Sequence, residues 1–530
     1  MDTKALKQKI LDLAISGKLV PQDPNDEPAS VLLERIRAEK QQMEKDGKLK
    51  AKDLKNDTVI FVGDDNLHYE KFSDGTVKCI ENEIPFTIPN GWAWTRLGNI
   101  GQYKKGPFGS SLTKAIFVPD GQNTIKVYEQ KNAINKDASL GKYFISYEKY
   151  ESLRGFEVFP NDIIVSCAGT IGETYVLPIN MRKGIINQAL MKISLFDITM
   201  TEFFLIYFDV RLKVTAQNQG HGSALKNIPP FDILKNYLMP IPPRNEQRCI
   251  VEVLQQYTQI LNNIDCNKSE IMRVVEQTRK RVLELAIRGK LIQQDPNDEP
   301  ASILLERIRK EKDNLIKEGK IKKDKSESVI FRGEDNSYYE TIGSKTVNIN
   351  EELPYKIPLT WTWVRLETIG IWSAGATPNR AHSEYYGGDI PWLKTGDLND
   401  GYITDIPETI TELAIKETSV KLNPVGSILI AMYGATIGKL GILTKPATTN
   451  QACCACCPFE GVYNKYLFYF LMSHKSKFIN RGIGGAQQNI SKEKIVATLM
   501  PLPPINEQKA IVARIEKLSF MLNSMNADMV

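Results

Sequence analysis

The chain states one long phrase twice, and that constrains its architecture more tightly than any other feature. Residues 11–40 (LDLAISGKLVPQDPNDEPASVLLERIRAEK) match residues 283–312 (LELAIRGKLIQQDPNDEPASILLERIRKEK) at 24 of 30 positions without a gap, and QDPNDEPAS is unchanged at 22–30 and 294–302. An internal repeat of this length means a supersecondary frame built twice. The match runs outward: VIFVGDDNLHYE (59–70) pairs with VIFRGEDNSYYE (329–340), and IPFTIPNGWAWTRLGNIG (84–101) with LPYKIPLTWTWVRLETIG (353–370). More than 100 residues then diverge, keeping only islands such as Asn187-Gln188-Ala189 against Asn450-Gln451-Ala452, before LMPIPPRNEQRCIV (238–251) returns as LMPLPPINEQKAIV (499–512). Each half is therefore a near-identical frame around a divergent insert. Like frames suggest one kind of partner held twice, and unlike inserts suggest two different targets.

The divergent inserts read as mixed α/β. The runs at 162–166 (DIIVS) and 427–433 (SILIAMY) have the composition of short strands ending at glycine-rich turns. The aromatic apolar runs at 202–210 and 466–473 suit buried helices or buried strands, with helix the reading taken. From Ile250 a three-four spacing holds through Leu254, Tyr257, Leu261, Ile264, Lys268, Ile271, Val275, Thr278, Val282 and Leu285, nine of the eleven being apolar, with no Pro or Gly from 245 to 288. Such a heptad seam predicts a supercoiling helix, and at ~1.5 Å per residue about 40 residues make a rod of roughly 60 Å. Ile511, Ile515, Leu518, Leu522 and Met525 repeat its start, and Leu6, Ile10 and Leu13 its end. The order is cyclic, as if a closed two-fold ring had been opened in the middle of one helix. The expected segments are 1–83, a helical frame with a linker; 84–243, the first insert; 244–352, the central frame; 353–504, the second insert; and 505–530, the last frame helix.

Composition narrows the class. Across 530 residues, 42% hydrophobic and 25% charged residues describe a globular protein. No apolar run reaches the ~18–20 residues of a membrane span, and the first residues lack a signal peptide's apolar core, so the expectation is a cytoplasmic protein with no membrane partner. Four of eight cysteines crowd into Cys453-Cys454-Ala455-Cys456-Cys457; neighbouring strand residues face opposite ways, so these read as buried strand residues rather than a metal cluster. Net charge is only +5, but residues 84–243 hold 17 Lys+Arg against 12 Asp+Glu and residues 353–504 hold 14 against 11, leaving the rest of the chain negative. A basic bias confined to the inserts suits a polyanion partner.

Two variable stretches, each opening on W-x-W-x-R-L and closing on L-x-P-x-P-P-x-x-E-Q, joined by heptad helices, resemble the specificity subunit of type I restriction–modification systems, and the resemblance spans essentially the whole chain. The second insert carries further typical phrases: SAGATPNRAHSEYYGGDIPWLKTGDL (373–398), GATIGK (434–439), TNQA (449–452) and GGAQQNIS (484–491). The resemblance implies two target recognition domains, separated by long antiparallel coiled-coil helices in a pseudo-two-fold cyclic arrangement, that bind the two halves of an asymmetric bipartite site in double-stranded DNA. It implies that the frame docks two methyltransferase subunits, that motor–endonuclease subunits join them, and that S-adenosylmethionine, ATP and Mg²⁺ belong to those partners. On that view QDPNDEPAS is stated twice because the same subunit is held twice. A scaffold presenting two protein-binding domains, without DNA, is the alternative.

The residues favour reading over reacting. Adenine methyltransferases need a polar residue before Pro-Pro-Tyr/Phe to bond the base's amino group, and here Ile228 precedes Pro229-Pro230-Phe231. Gly434–Lys439 is too short for a phosphate loop, and its twin at 169–173 ends in Glu173. No catalytic, metal or cofactor site is therefore expected in this chain. DNA reading needs cations for phosphates and Asn, Gln, Arg, Ser or Thr for base edges. In the first insert the candidates are Lys104, Lys105, Ser110, Ser111, Gln130, Lys131, Asn132, Gln219, His221 and Ser223. In the second they are Thr377, Asn379, Arg380, Lys394, Thr395, Tyr433, Lys439, Gln487, Gln488 and Asn489.

Overall fold

In a computed structural model the described residues are 2–167, 170–218, 228–322, 327–481 and 489–527. They form two compact units, residues 1–267 and 268–530, each mixing helices with mostly antiparallel sheets. The division falls inside the 44-residue helix Arg244–Ile287, so each unit owns one part of the heptad seam.

In the first unit the helix Thr3–Ile15 runs antiparallel to that seam: Thr3 Oγ1 donates to Asp265 Oδ1 at 2.9 Å, while Ile10 shares a core with Leu254 and Leu261. In the second unit Ile505–Ala527 does the same, with Arg279 bonded to Asn523 and Ile511 and Ile515 packed into the core that holds Ala286 and Ile287. The seam is not buried throughout. Ile250, Leu254, Leu261 and Val275 are buried, but Tyr257 is 44% and Ile271 39% exposed. Heptad spacing aligns apolar side chains on one face; it does not guarantee covering for the whole of that face.

Each insert's two ends meet in a two-stranded antiparallel ladder. Ala93–Arg96 pairs with Leu238–Ile241, and Thr362–Arg365 pairs with Leu499–Leu502, so the repeated W-x-W-x-R and L-x-P-x-P-P phrases are hydrogen-bonded partners. Between them the first insert has an antiparallel sheet in the order Thr174–Val176, Ile163–Ser166, Leu190–Leu195, Gly101–Lys105, and a second sheet in the order Phe144–Ser146, Thr124–Tyr128, Gly184–Ile186, Glu157–Val158. The second insert repeats the plan with Leu440–Leu443, Ile428–Ala431, Cys453–Pro458 and Gly370–Ala374, adding Gly401–Ile403 at the edge, and with Thr409–Ile410, Tyr386–Leu393 and Thr448–Thr449. In the second sheet of each insert an inner strand, Thr124–Tyr128 or Tyr386–Leu393, pairs in parallel with the short strand before the Asn-Gln-Ala turn.

The apolar runs at 202–210 and 466–473 are helical, within Thr201–Asn218 and Asn464–Ser473. The cysteine run forms the strand Cys453–Pro458; Cys453, Cys454 and Cys456 are buried, and burial pushes the Cys454 thiol up to about 12. Residues 58–79 and 328–348, beyond the phrases that carried the resemblance, form one three-stranded antiparallel sheet in each unit. No described helix is long and apolar enough to cross a membrane.

Candidate nucleic-acid interface

Two buried polar nodes hold each insert on its frame. In the first unit the Glu246 carboxylate, from the P-P-x-x-E-Q phrase, accepts from the Trp92 indole at 2.9 Å and from the Gln22 amide at 3.1 Å. In the second, Glu507 accepts from Trp361 at 2.8 Å and Gln294 at 3.2 Å. Burial holds both carboxyls above their ordinary range. The second node is an arginine clamp: Arg96 grips Glu70 through two bonds and also bonds Glu83 and the carbonyl of Asn236, and Arg365 does the same with Glu340, Glu352 and the carbonyl of Ala497. The small three-stranded sheets at 58–79 and 328–348, with the helical turns Glu81–Glu83 and Asn350–Glu352 that follow them, therefore supply the carboxylates that close the W-x-W-x-R phrase.

QDPNDEPAS is spent largely inside its own unit. Gln22 bonds Glu246, Asp26 accepts from Asn245 at 2.7 Å, Glu27 pairs with Arg35, and the Ala29 amide donates to the carbonyl of Gly91 at 2.8 Å. Gln294, Asp298, Glu299 and Ala301 make the matching bonds to Glu507, Asn506, Arg307 and Thr360. Pro28 and Pro300 stand at the N-cap of the helices Ala29–Lys45 and Ala301–Lys317, one residue ahead of the first turn.

The Asn-Gln-Ala turn is the point about which the candidate residues gather. In the first insert the Asn187 amide donates to the carbonyl of Tyr128 at 3.0 Å, and Cys167 donates to Ala189 at 2.8 Å. Gly106 is pressed so closely on this turn that a Cβ would lie 1.8 Å from the carbonyl oxygen of Asn187. In the second insert Asn450 donates to Leu393 at 2.9 Å, Met432 to Ala452 at 2.8 Å, and a Cβ on Gly375 would lie 2.2 Å from the carbonyl oxygen of Thr449. Only glycine tolerates such backbone approach. These contacts carry Lys105, Gln130 and Lys131 to one turn, and Thr377, Lys394, Thr395 and Tyr433 to the other.

Ser110 and Ser111 follow in the helical turn Gly109–Ser111, beside Phe108, whose ring is 87% exposed. Lys105 is exposed; Lys104 points to the other face of its strand, opposite Lys192, with its ammonium 5.0 Å from the Phe156 ring centre. Lys131 pairs with Glu129 at 2.9 Å, and the buried side-chain oxygen of Gln130 has no hydrogen-bond partner among the described residues. Asn132 must be corrected: it is buried, its oxygen accepts from the Glu129 amide at 2.8 Å, and its amide donates to the carbonyls of Asp137 and Leu140 at 2.8 and 2.7 Å. With every polar atom used, it builds the loop rather than facing a ligand.

The second insert draws its cations together. Arg380 lies over the Tyr386 and Trp392 rings at 4.5 and 5.3 Å and bonds Glu408 Oε2 at 3.2 Å; Lys394 lies 5.5 Å from the Trp392 ring and bonds Glu408 Oε1. Lys394, then Arg380, hold the Glu408 carboxyl below its ordinary range. Thr377 donates to the Gln451 side-chain oxygen, Asn379 closes its own loop through the Ala381 amide at 3.0 Å, and exposed Tyr433 bridges to exposed Asn489. Thr395 and Lys439 are half-exposed. Gln219, His221, Ser223, Gln487 and Gln488 lie outside the described residues. Sequence reasoning passed over Glu408, which carries no motif, and the exposed Gln188 and Gln451, which their survival inside divergent inserts could have flagged.

Comparison with known proteins gives a consistent pattern. The family model described as "Type I restriction modification DNA specificity domain" matches residues 89–272 and again 358–527. The specificity subunit of the type I restriction enzyme EcoAI of Escherichia coli is 27% identical over 581 residues, covering 97% of this chain and 88% of that protein. The EcoEI specificity subunit of the same organism is 25% identical, with the same coverage of each chain. A solved chain from work on "complex assembly and conformational transition of the type I R-M system" aligns with a TM-score of 0.50 at 16% identity, over 84% of this chain and 94% of that one, a likeness of fold.

Proposed function

The chain belongs to the type I restriction–modification DNA specificity family, and on that premise we propose that its two inserts read the two halves of one asymmetric DNA site. It is the specificity subunit of a type I system, a recognition component rather than a catalyst. The observation that carries the two-headed reading is the shared turn. One backbone arrangement, held by Gly106 against Asn187 and Gly375 against Thr449, presents unlike side chains in the two inserts. A common scaffold with different displayed groups suits two half-sites that differ in sequence.

Lys104, Lys105, Lys131, Arg380, Lys394 and Lys439 serve the phosphates, while Ser110, Ser111, Gln130, Thr377, Asn379, Thr395, Tyr433 and Asn489 approach base edges or the sugar–phosphate backbone. The frame helices dock two methyltransferase subunits, which hold S-adenosylmethionine, and motor–endonuclease subunits using ATP and Mg²⁺ complete the cytoplasmic assembly. Mapping methylated adenine genome-wide with this gene intact and deleted tests the reading. Loss of methylation at one two-part asymmetric motif is expected. An unchanged map in cells that express the methyltransferase would refute it and favour the protein-only scaffold.

A further inference from the structure

The backbone bonds that define the shared turn also align positions that sequence comparison cannot. In the first insert the Val127 amide donates to the carbonyl of Tyr143 at 2.9 Å, one residue before Tyr128 receives Asn187. In the second, the Trp392 amide donates to the carbonyl of Glu408 at 2.8 Å, one residue before Leu393 receives Asn450. Glu408 thus occupies the place of Tyr143, and Lys394 the place of Glu129. The frame keeps these positions and changes their chemistry, as positions that distinguish two half-sites must.

The chemistry at Glu408 is specific. One carboxylate oxygen takes Lys394 and the other Arg380, both cations lie against the Trp392 ring and Arg380 against Tyr386 as well, and the side chain remains 40% exposed. Each oxygen keeps a second lone pair, and the carboxylate's orientation is fixed from both sides. The two cations offset its charge, so it can approach a polyanion. Phosphates repel it, and in the major groove the base edges offer a carboxylate hydrogen-bond donors only at the exocyclic amino groups, cytosine N4 and adenine N6. Guanine O6 and thymine O4 would face it acceptor to acceptor.

We propose that Glu408 is a specificity-determining residue of the second insert, held by Lys394 and Arg380 and accepting a hydrogen bond from an exocyclic amino group at one position of its half-site, rejecting bases that present a carbonyl there. This rests on the DNA-reading function proposed above. The test uses the full chain assembled with its methyltransferase partner, and duplexes bearing the mapped site with every second-half position replaced in turn by the other three bases.

With the native protein, one position should demand cytosine or adenine. In Glu408→Gln, whose amide both donates and accepts, discrimination against guanine or thymine at that position should fall about tenfold or more, equivalent to 1.4 kcal/mol, with the first half-site read as before. A variant that keeps native discrimination at every position overturns the proposal, as does one that loses affinity equally for all duplexes, which would make Glu408 a holder of Arg380 and Lys394 only. A native complex with no base preference in either half would overturn the DNA-reading function itself.

Discussion

The arginine clamp offers a test with a control inside the same molecule. Glu340 is 3% exposed and takes Arg365 through Nε at 2.8 Å and Nη2 at 2.6 Å. Replacing it in Glu340→Ala leaves Arg365 with Glu352, at 2.9 Å, and with the carbonyl of Ala497. Removing one member of a buried pair costs about 3–5 kcal/mol. Because Glu352 remains, the lower end applies, so roughly 3 kcal/mol, or about 150-fold in a local opening equilibrium. Hydrogen–deuterium exchange reads this directly: amides in Ser328–Arg332, Tyr338–Ile342 and Thr362–Arg365 should exchange about a hundredfold faster. Thr58–Val62, His68–Phe72 and Ala93–Arg96, clamped by Arg96 and Glu70, should not change. An acceleration below threefold, or an equal one in both copies, would refute the assignment of the clamp as what ties each small sheet to its insert.

Other consequences can be measured separately. Hydrogen bonding from Arg365 is the chief cause that holds the Glu340 carboxyl below its ordinary value of 4.5. A depressed carboxyl adds stability that is complete above its unfolded pKa and is lost as pH falls through the folded value. Protection of the second small sheet should thus decline with acidification below about pH 4.5, and Glu340→Gln should be insensitive over the same window. Trp361→Phe removes the indole donor to Glu507 but keeps most of the ring, and a bond to a charged group is worth about 1.5–3 kcal/mol; denaturant unfolding of the second unit should show that loss, and a change under 0.5 kcal/mol would count against the node. Gly375→Ala should abolish recognition of the second half-site while spectroscopic helix content stays native. In Lys105→Ala with Lys131→Ala, the slope of log K against log salt should shrink by about 0.9 for each phosphate that is no longer neutralised, and an unchanged slope would remove both from the interface.

Much of the frame was readable because the chain supplies its own second copy. Trp92 and Trp361, Arg96 and Arg365, Glu246 and Glu507 could be paired by eye, and the structure shows each pair making the same bonds. What the pairing could not reveal was where those side chains point. Glu70 and Glu340 sit in stretches with no recognised role, and their partners lie 26 and 25 residues away. Asn132 looked like a loop residue free to meet DNA, yet a short helical turn bends it inward onto three backbone groups. Nor could sequence align Tyr143 with Glu408. Strand register is set by backbone pairing and the pleat, so two inserts can share it with scarcely a residue in common.

This division of labour has a consequence for how specificity changes. Many residues identical in both halves are spent on bonds within their own unit: Gln22, Asp26, Trp92 and Glu246 bond one another or Asn245, and their twins repeat the pattern. The turn glycines Gly106 and Gly375 fix backbone rather than display side chains. The groups left to differ stand on loops whose ends those bonds hold in place. A substitution at position 143 or 408 keeps the carbonyl bond to Val127 or Trp392 that sets the register, and gives up only the contact of the Tyr143 ring with Phe117 or the ion pairs of Glu408 with Lys394 and Arg380. A new half-site can therefore be gained by exchanging displayed residues while the register holds, at a stability cost of about 0–1 kcal/mol for each exposed ion pair given up. Changing Glu246 or Arg365 would instead loosen the platform on which all of them are carried.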